Sequence, residues 1–211
     1  MGSPSPPVPI GGRVEPFAYA VSGGWAAGIS AYATVLILGV AGRAGLADTP
    51  DLLQRTDVLV VMAVFTAIEF VTDKIPYADS LWDTVHTVVR PIVAAVLGWI
   101  FVTDGSSAEQ LAVATVAGSV ALLSHSAKAG IRLAINTSPE PVSNVAVSTA
   151  EDAVLLGVLL LATQYPWLAA GTALAILIVM LTTAIMIVRR ARRGWRRLRH
   201  RYFPDPRDDT G

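Results

Sequence analysis

The sequence contains no cysteine, and only 15% of its 211 residues are charged. Without cysteine the chain cannot form disulfides, thiolate metal sites or a cysteine nucleophile. Soluble domains carry about 25% charged residues, and a small globular protein buries only about 70% of its unfolded surface. Because 53% of these residues are hydrophobic, the composition indicates a membrane protein.

The charges that are present lie unevenly along the chain. Eight of the 16 basic residues are arginines between Arg189 and Arg201. The start of the chain is rich in proline, glycine and serine and lacks the basic-then-apolar order of a signal peptide. We expect a disordered lead over residues 1–20, a transmembrane helical domain over 21–188 and a basic juxtamembrane tail over 189–211.

Long apolar runs follow one another along the middle of the chain. A membrane-spanning helix needs about 20 mostly apolar residues. The sequence therefore predicts an all-α, polytopic bundle of six transmembrane spans, over residues 23–41, 58–71, 82–102, 109–135, 145–164 and 168–188. The second span is the shortest and also fits a buried core helix. A polar loop is expected over residues 48–57.

The arginine tail sets the expected orientation, because basic residues collect on the cytoplasmic side. An even number of spans then places both termini in the cytoplasm. Next to a membrane helix, such a tail attracts anionic lipid at about 1 kcal/mol per basic residue. Nucleic-acid binding is the alternative, and we expect lipid and no nucleic acid. The predicted headgroup contacts are Arg189, Arg190, Arg192, Arg193, Trp195, Arg196 and Arg197.

Polar side chains inside or beside the spans are costly, at about 2.5–3.5 kcal/mol for a charge, and commonly mark functional paths. Here they recur at helical spacing and gather toward the expected cytoplasmic half. Residues three, four or seven apart share a helix face, so spans two to five each present a polar stripe. The candidate residues are Glu69, Asp73, Lys74, Asp79, Asp83, His86, Arg90, His125, Lys128, Arg132, Asn144, Ser148, Glu151 and Asp152.

These stripes have two interpretations. One is a structural network of salt bridges between the basic stripe of span four and the acidic groups of spans two, three and five. The other is a polar vestibule that binds an ion, a proton or an anionic solute. Carboxylates suit hard cations such as magnesium, but no close ligand spacing occurs. A metal therefore stays undecided, and no cofactor is expected.

A short pattern occurs twice, as Pro76–Asp79 between spans two and three and as Pro141–Asn144 between spans four and five. In both, proline ends a loop, and Asp79 or Asn144 suits the N-cap of the next helix. Such a pair is typical of duplicated halves, and six spans also permit a three-plus-three inverted repeat. We therefore expect an internal repeat.

Two blocks of the chain carry a family resemblance. They comprise Glu69–Pro76, Asp79–Asp83 and Arg90–Pro91, then His125–Arg132, Asn136–Asn144 and Ser148–Asp152. Over roughly Ser22–Met186 the chain resembles a bacterial membrane family described as domain of unknown function 4126. The resemblance implies a small multi-pass protein and supplies no substrate. We expect it in the bacterial cytoplasmic (inner) membrane.

Three functions compete at this point. The facing stripes favour a small transporter or channel, working as a homo-oligomer because six short spans enclose little space. The arginine tail favours a non-transporting scaffold, assembly factor or lipid-binding protein. Ser124 and His125 admit an intramembrane enzyme, but no nucleophile elbow, phosphate loop or zinc motif accompanies them. We expect no enzymatic activity.

Overall fold

The computed structural model describes the backbone of residues 15–75, 78–102, 105–135 and 141–202, and their side chains except those of residues 79–80, 133–135, 141–144 and 196–202. Within these ranges the chain forms eight helices and no strand, which confirms the all-α prediction. The helices are α1 (Glu15–Ile29), α2 (Ala31–Arg43), α3 (Asp51–Gln54), α4 (Thr56–Thr72), α5 (Ala78–Ile100), α6 (Ser107–Ile135), α7 (Pro141–Gln164) and α8 (Pro166–Tyr202).

Four helices are long and apolar enough to cross a membrane. The qualifying segments are Leu81–Ile100, Ser107–Arg132, Val145–Gln164 and Pro166–Trp195. They lie in α5 to α8 and match the last four predicted spans. The second predicted span is also helical, but α4 has 17 residues and falls short of the about 20 that a bilayer asks for.

The first predicted span, a single helix over residues 23–41, is wrong. The chain breaks at Ser30, whose extended backbone (φ −149°, ψ 109°) separates α1 from α2. The Ser30 hydroxyl accepts a hydrogen bond from the Ala33 backbone N–H at 3.3 Å, and serine is a preferred N-cap because it satisfies such free N–H groups. In addition, α1 begins at Glu15, inside the segment that we expected to be a disordered lead.

Other boundaries differ from the sequence-based expectation as well. Helix α7 begins at Pro141, since proline suits the first helical position, and α5 begins at Ala78. Asp79 and Asn144 are therefore helical residues, and their prediction as N-caps is wrong. The internal repeat loses that support and stays a prediction. The loop over residues 48–57 contains α3, and α8 continues through the tail to Tyr202.

Small residues bring α1 and α6 into close contact. A Cβ atom on Gly24 would lie 2.6 Å from the Ala117 carbonyl oxygen, and one on Gly28 would lie 2.5 Å from that of Ala121. Both pairs are four residues apart, so each helix presents one small-residue face, as membrane helices do where their backbones meet. This contact holds the end of α1 beside the middle of α6.

The outer surface of the bundle is apolar. Only 17% of the most apolar stretch of α8 is buried within the chain. Exposed apolar patches of this extent indicate a lipid or protein partner. Prominent outward side chains are Val60, Val64, Leu81, Val88, Ile92, Val179 and Met186. A bilayer around the helices accounts for this surface.

Candidate functional site

Six charged side chains from α4 to α6 meet inside the bundle, and we call them the buried charge cluster. None of their side chains is more than 6% exposed. Three are acidic and three are basic. They are Glu69, Asp73 at the end of α4, Asp83, Arg90, Lys128 and Arg132.

Arg90 organises one half of the cluster. Its Nη2 donates to Glu69 Oε1 at 2.7 Å, and its Nη1 donates to the Gly28 carbonyl oxygen at 3.2 Å. The other carboxylate oxygen of Glu69 accepts a hydrogen bond from the Ser30 hydroxyl. Glu69 thus accepts hydrogen bonds from the guanidinium of Arg90 and from the hydroxyl of Ser30 at the helix break.

Asp83 has a different relation to Arg90. Asp83 Oδ1 lies 3.2 Å from Arg90 Nη1. The two N–H groups of that nitrogen are used by the Gly28 carbonyl and by His125 Nδ1. Among the described residues, neither Asp83 carboxylate oxygen accepts a hydrogen bond. Asp83 is therefore a buried acid that Arg90 attracts by charge without directed hydrogen bonds.

The histidines of α5 and α6 have defined ring orientations. His125 Nδ1 lies 2.7 Å from Arg90 Nη1 and accepts from it, because a guanidinium can only donate. Its Nε2 then carries the proton and faces the Asp83 carbonyl oxygen at 3.0 Å. His86 Nδ1 donates to the Trp82 carbonyl at 2.7 Å, and its Nε2 lies 2.9 Å from the Tyr32 hydroxyl. His86 thus connects α5 to α2, and His125 connects α6 to α5.

Lys128 and Arg132 organise the other half. Lys128 Nζ lies 2.7 Å from Asp73 Oδ2 and donates to the Ile29 carbonyl at 3.0 Å. Arg132 donates through Nη1 to the Asp73 carbonyl at 2.9 Å and through Nη2 to Glu151 Oε2 at 2.8 Å. These two bases of α6 therefore join the end of α4 to α7.

The C-terminal end of α1 takes part in both halves. The last carbonyls of a helix have no partner within it, and they carry the negative end of the helix dipole. Here the carbonyl of Gly28 accepts a hydrogen bond from Arg90, and that of Ile29 accepts one from Lys128. The Ser30 break that frees them was missed in the sequence, although a serine before an apolar run is an N-cap signal.

The side chains at one rim of the cluster are more exposed. Glu151 is 15%, Lys74 20% and Asp152 39% exposed in their side chains. Lys74 Nζ lies 3.6 Å from Asp152 Oδ2 and donates to the buried Ser148 hydroxyl at 3.3 Å. Side-chain exposure thus rises in steps from the buried charge cluster to the rim.

Cluster and rim together contain more acid than base. The described side chains include five carboxylates, on Glu69, Asp73, Asp83, Glu151 and Asp152, and four cations, on Lys74, Arg90, Lys128 and Arg132. Lys74 pairs with Asp152, and the bases of α6 pair with Asp73 and Glu151. Among the described side chains, the Glu69–Arg90–Asp83 group has two carboxylates for one cation.

Most of the predicted stripe residues converge. The pairing of span four with the acidic groups of spans two and five is confirmed by Lys128–Asp73 and Arg132–Glu151. Asp83 pairs instead with Arg90 of its own helix. The side chains of Asp79 and Asn144 lie outside those described. Among the described residues, no group of three or more His, Asp or Glu side chains is placed to hold a metal ion.

The basic tail lies apart from the cluster, on the last turns of α8. Arg189, Arg190, Arg192, Arg193 and Trp195 are exposed. The predicted headgroup contacts Arg196 and Arg197 have side chains outside the described set. Two of the tail arginines border a cavity, which is taken up below.

Comparison with known proteins gives a family and no function. No curated protein and no solved structure matches the chain. A family described as a domain of unknown function (DUF4126) matches residues 17–190, which include the whole buried charge cluster and its rim. The chain therefore belongs to the DUF4126 family.

Proposed function

We propose that the chain is a small transporter or channel that binds an ion or small anionic solute at the buried charge cluster. The observation that carries the proposal is Asp83, a buried carboxylate next to Arg90 that accepts no hydrogen bond among the described residues. Charged groups inside spans are rare and commonly mark ion and proton paths.

The arrangement supplies a way to exchange partners. Protonating Asp83 removes the excess negative charge of its group and breaks no directed hydrogen bond. Arg90 then faces Glu69 alone, and its Nε–H, which has no hydrogen-bond partner among the described residues, can donate to a carboxylate or phosphate oxygen of a small anion. Proton binding and anion binding would thus be coupled through one arginine.

The helix break supports the same function. Discontinuous helices in transporters place free backbone carbonyls and helix ends at the substrate or ion site. The carbonyls of Gly28 and Ile29 lie at such a break and contact two buried cations. Access would run past Glu151, Lys74 and Asp152, where side-chain exposure rises toward the rim.

For the membrane arrangement, we propose six spans in the bacterial cytoplasmic membrane with both termini cytoplasmic. The interrupted pair α1–α2 would form the first span and α4 the second. Support for α4 comes from its surface, since Leu59 and Glu69 are its only buried residues. A homo-oligomer would supply the space that one small bundle does not enclose.

The test is flux into liposomes containing the purified chain. The panel holds protons, sodium, potassium, chloride, phosphate and small carboxylates, and empty liposomes set the background. We expect wild type to carry at least one solute and Asp83→Asn to lower its flux. Asp57→Asn, an exposed acid paired with Arg55, is the matched control and should change nothing.

Thermal unfolding of both variants accompanies the flux measurement, so that a misfolded Asp83→Asn protein is not taken for an inactive one. If no solute passes faster than through empty liposomes, the transport proposal is rejected. Flux that is identical in wild type and Asp83→Asn would keep transport and reject Asp83 as its site.

A non-transporting scaffold or assembly factor is the second candidate. It is supported by the burial of the ion pairs, which leaves little room for a solute. The side chains of Arg90, Lys128 and Arg132 are at most 1% exposed. This candidate predicts a partner protein or lipid that co-purifies and is lost when residues 189–211 are deleted. Retention of every partner after that deletion would reject it.

We propose no enzymatic activity. The Ser124 hydroxyl donates to the Trp25 carbonyl oxygen at 2.9 Å, while the neighbouring His125 ring contacts Arg90 and the Asp83 carbonyl. A serine nucleophile requires a base within hydrogen-bond reach. Incubation with ester and peptide substrates should therefore give no turnover, and turnover abolished by Ser124→Ala would contradict this.

A further inference from the structure

A groove lies between α6 and α8, outside the buried charge cluster. It has a volume of about 360 Å³, which falls within the range of about 300–1,000 Å³ that small-molecule sites occupy. Ala127 and Gly130 of α6 form its floor. Gly130 brings the helices together there, since a Cβ atom on it would lie 3.2 Å from Ala184 Cβ.

The wall that α8 contributes changes character along its length. Leu181, Ile185 and Val188 are apolar, and Arg189 and Arg192 follow at the end of the groove. From Leu181 to Arg192 the helix rises about 16 Å at 1.5 Å per residue. One molecule in this groove would therefore meet hydrocarbon along most of its length and two guanidinium groups at one end.

We propose that this groove binds one anionic phospholipid, with an acyl chain along Leu181 and Val188 and the phosphate at Arg189 and Arg192. Guanidinium groups bind phosphate oxygens through paired hydrogen bonds. In the described part of the chain no ion pair occupies either arginine, and the groove lining contains no carboxylate.

A lipid fits the groove better than the other occupants. The segment Pro166–Trp195 of α8 is the most apolar of the candidate spans, so the groove borders the acyl layer. A soluble phosphate would use the two arginines but make no contact with the apolar wall. A helix of a second copy would cover the wall and gain nothing from the arginines.

The tail provides its own matched control. Arg190 and Arg193 have the same charge and the same spacing as Arg189 and Arg192, yet they do not line the groove. All four are exposed, so replacing either pair leaves the packed interior intact. The double variants Arg189→Ala/Arg192→Ala and Arg190→Ala/Arg193→Ala differ only in which side of α8 loses its charge.

The experiment measures lipid binding to the purified full chain by native mass spectrometry. The probes are phosphatidylglycerol and phosphatidylcholine with identical acyl chains, and soluble glycerol phosphate. We expect one phosphatidylglycerol to bind in preference to phosphatidylcholine. Arg189→Ala/Arg192→Ala should lower the affinity for phosphatidylglycerol by about thirtyfold, because each basic residue near an anionic membrane contributes a typical binding energy and two are removed. The control pair should stay within about threefold, since salt screens more distant charges.

A third variant tests the apolar part of the site. Ser126 lines the groove and is exposed, so Ser126→Phe should fill the groove and lower the binding of both lipids. Leu123→Phe, also exposed but outside the groove, should not. Three outcomes would each overturn the proposal. The two double arginine variants could lose the same affinity for phosphatidylglycerol, glycerol phosphate could bind as tightly as phosphatidylglycerol, or Ser126→Phe could bind both lipids as wild type does.

Discussion

Replacing Arg90 with methionine removes the cation at the centre of the buried charge cluster. Its guanidinium contacts Glu69 at 2.7 Å, Asp83 and the Gly28 carbonyl at 3.2 Å, and His125 at 2.7 Å. Methionine fills much of the volume but leaves two carboxylates buried without a cation. Removing one partner of a buried ion pair costs about 3–5 kcal/mol.

That free energy can be measured as a shift in thermal unfolding, followed by tryptophan fluorescence in detergent. About 3 °C per kcal/mol applies to a chain of this length, so Arg90→Met should unfold about 10–15 °C below wild type. Arg55→Met is the control: Arg55 also pairs with a carboxylate at 2.7 Å, but its side chain is 61% exposed. We expect no shift there.

A double variant separates lost charge from lost packing. Arg90→Met with Glu69→Met removes both partners of the 2.7 Å pair, and apolar replacement of a whole buried pair is often neutral or stabilising. The double variant should therefore unfold at a higher temperature than Arg90→Met alone. A loss of less than about 1 kcal/mol for Arg90→Met would refute the argument, because it would mean that water reaches the cluster.

Other predictions concern the same bundle. Asp83→Asn should change the unfolding free energy by less than about 1 kcal/mol, whereas Glu69→Gln should cost about 1.5–3 kcal/mol because Glu69 accepts directed, charge-assisted bonds. Gly24→Ala should destabilise the chain, since its Cβ would meet the Ala117 carbonyl, and Gly23→Ala should not, since nothing lies within 4 Å. Ser30→Ala should cost about 1 kcal/mol or more through the lost N-cap and the lost bond to Glu69. Each is read from the same unfolding assay.

The sequence predicted which side chains share a helix face better than it predicted their partners. His125, Lys128 and Arg132 recur at helical spacing, and all three are buried on the inner side of α6. Spacing cannot tell which carboxylate each base meets, because that depends on how deeply the helices approach one another. Arg132 thus donates a hydrogen bond to Glu151, whereas Asp152, the next residue along α7, forms an ion pair with Lys74.

The break at Ser30 is a tertiary feature. An isolated apolar run from Gly23 to Ala41 favours one continuous helix. In the folded chain, Gly24 and Gly28 pack on α6, and Arg90 and Lys128 then reach the carbonyls at the end of α1. Those contacts compensate for the helical hydrogen bonds lost at the break, and they join residues far apart in sequence, so local pattern could not reveal them.

We propose that Asp83 and Arg90 form an exchangeable site for a proton and an anion. Electrical current after a rapid change of pH or anion, recorded from proteoliposomes on a solid-supported membrane, tests this site. We expect a transient current in wild type and in Asp57→Asn that is lost in Asp83→Asn at unchanged thermal stability. The absence of current in wild type for every ion of the panel would contradict it, and would leave the closed ion pairs as a structural network.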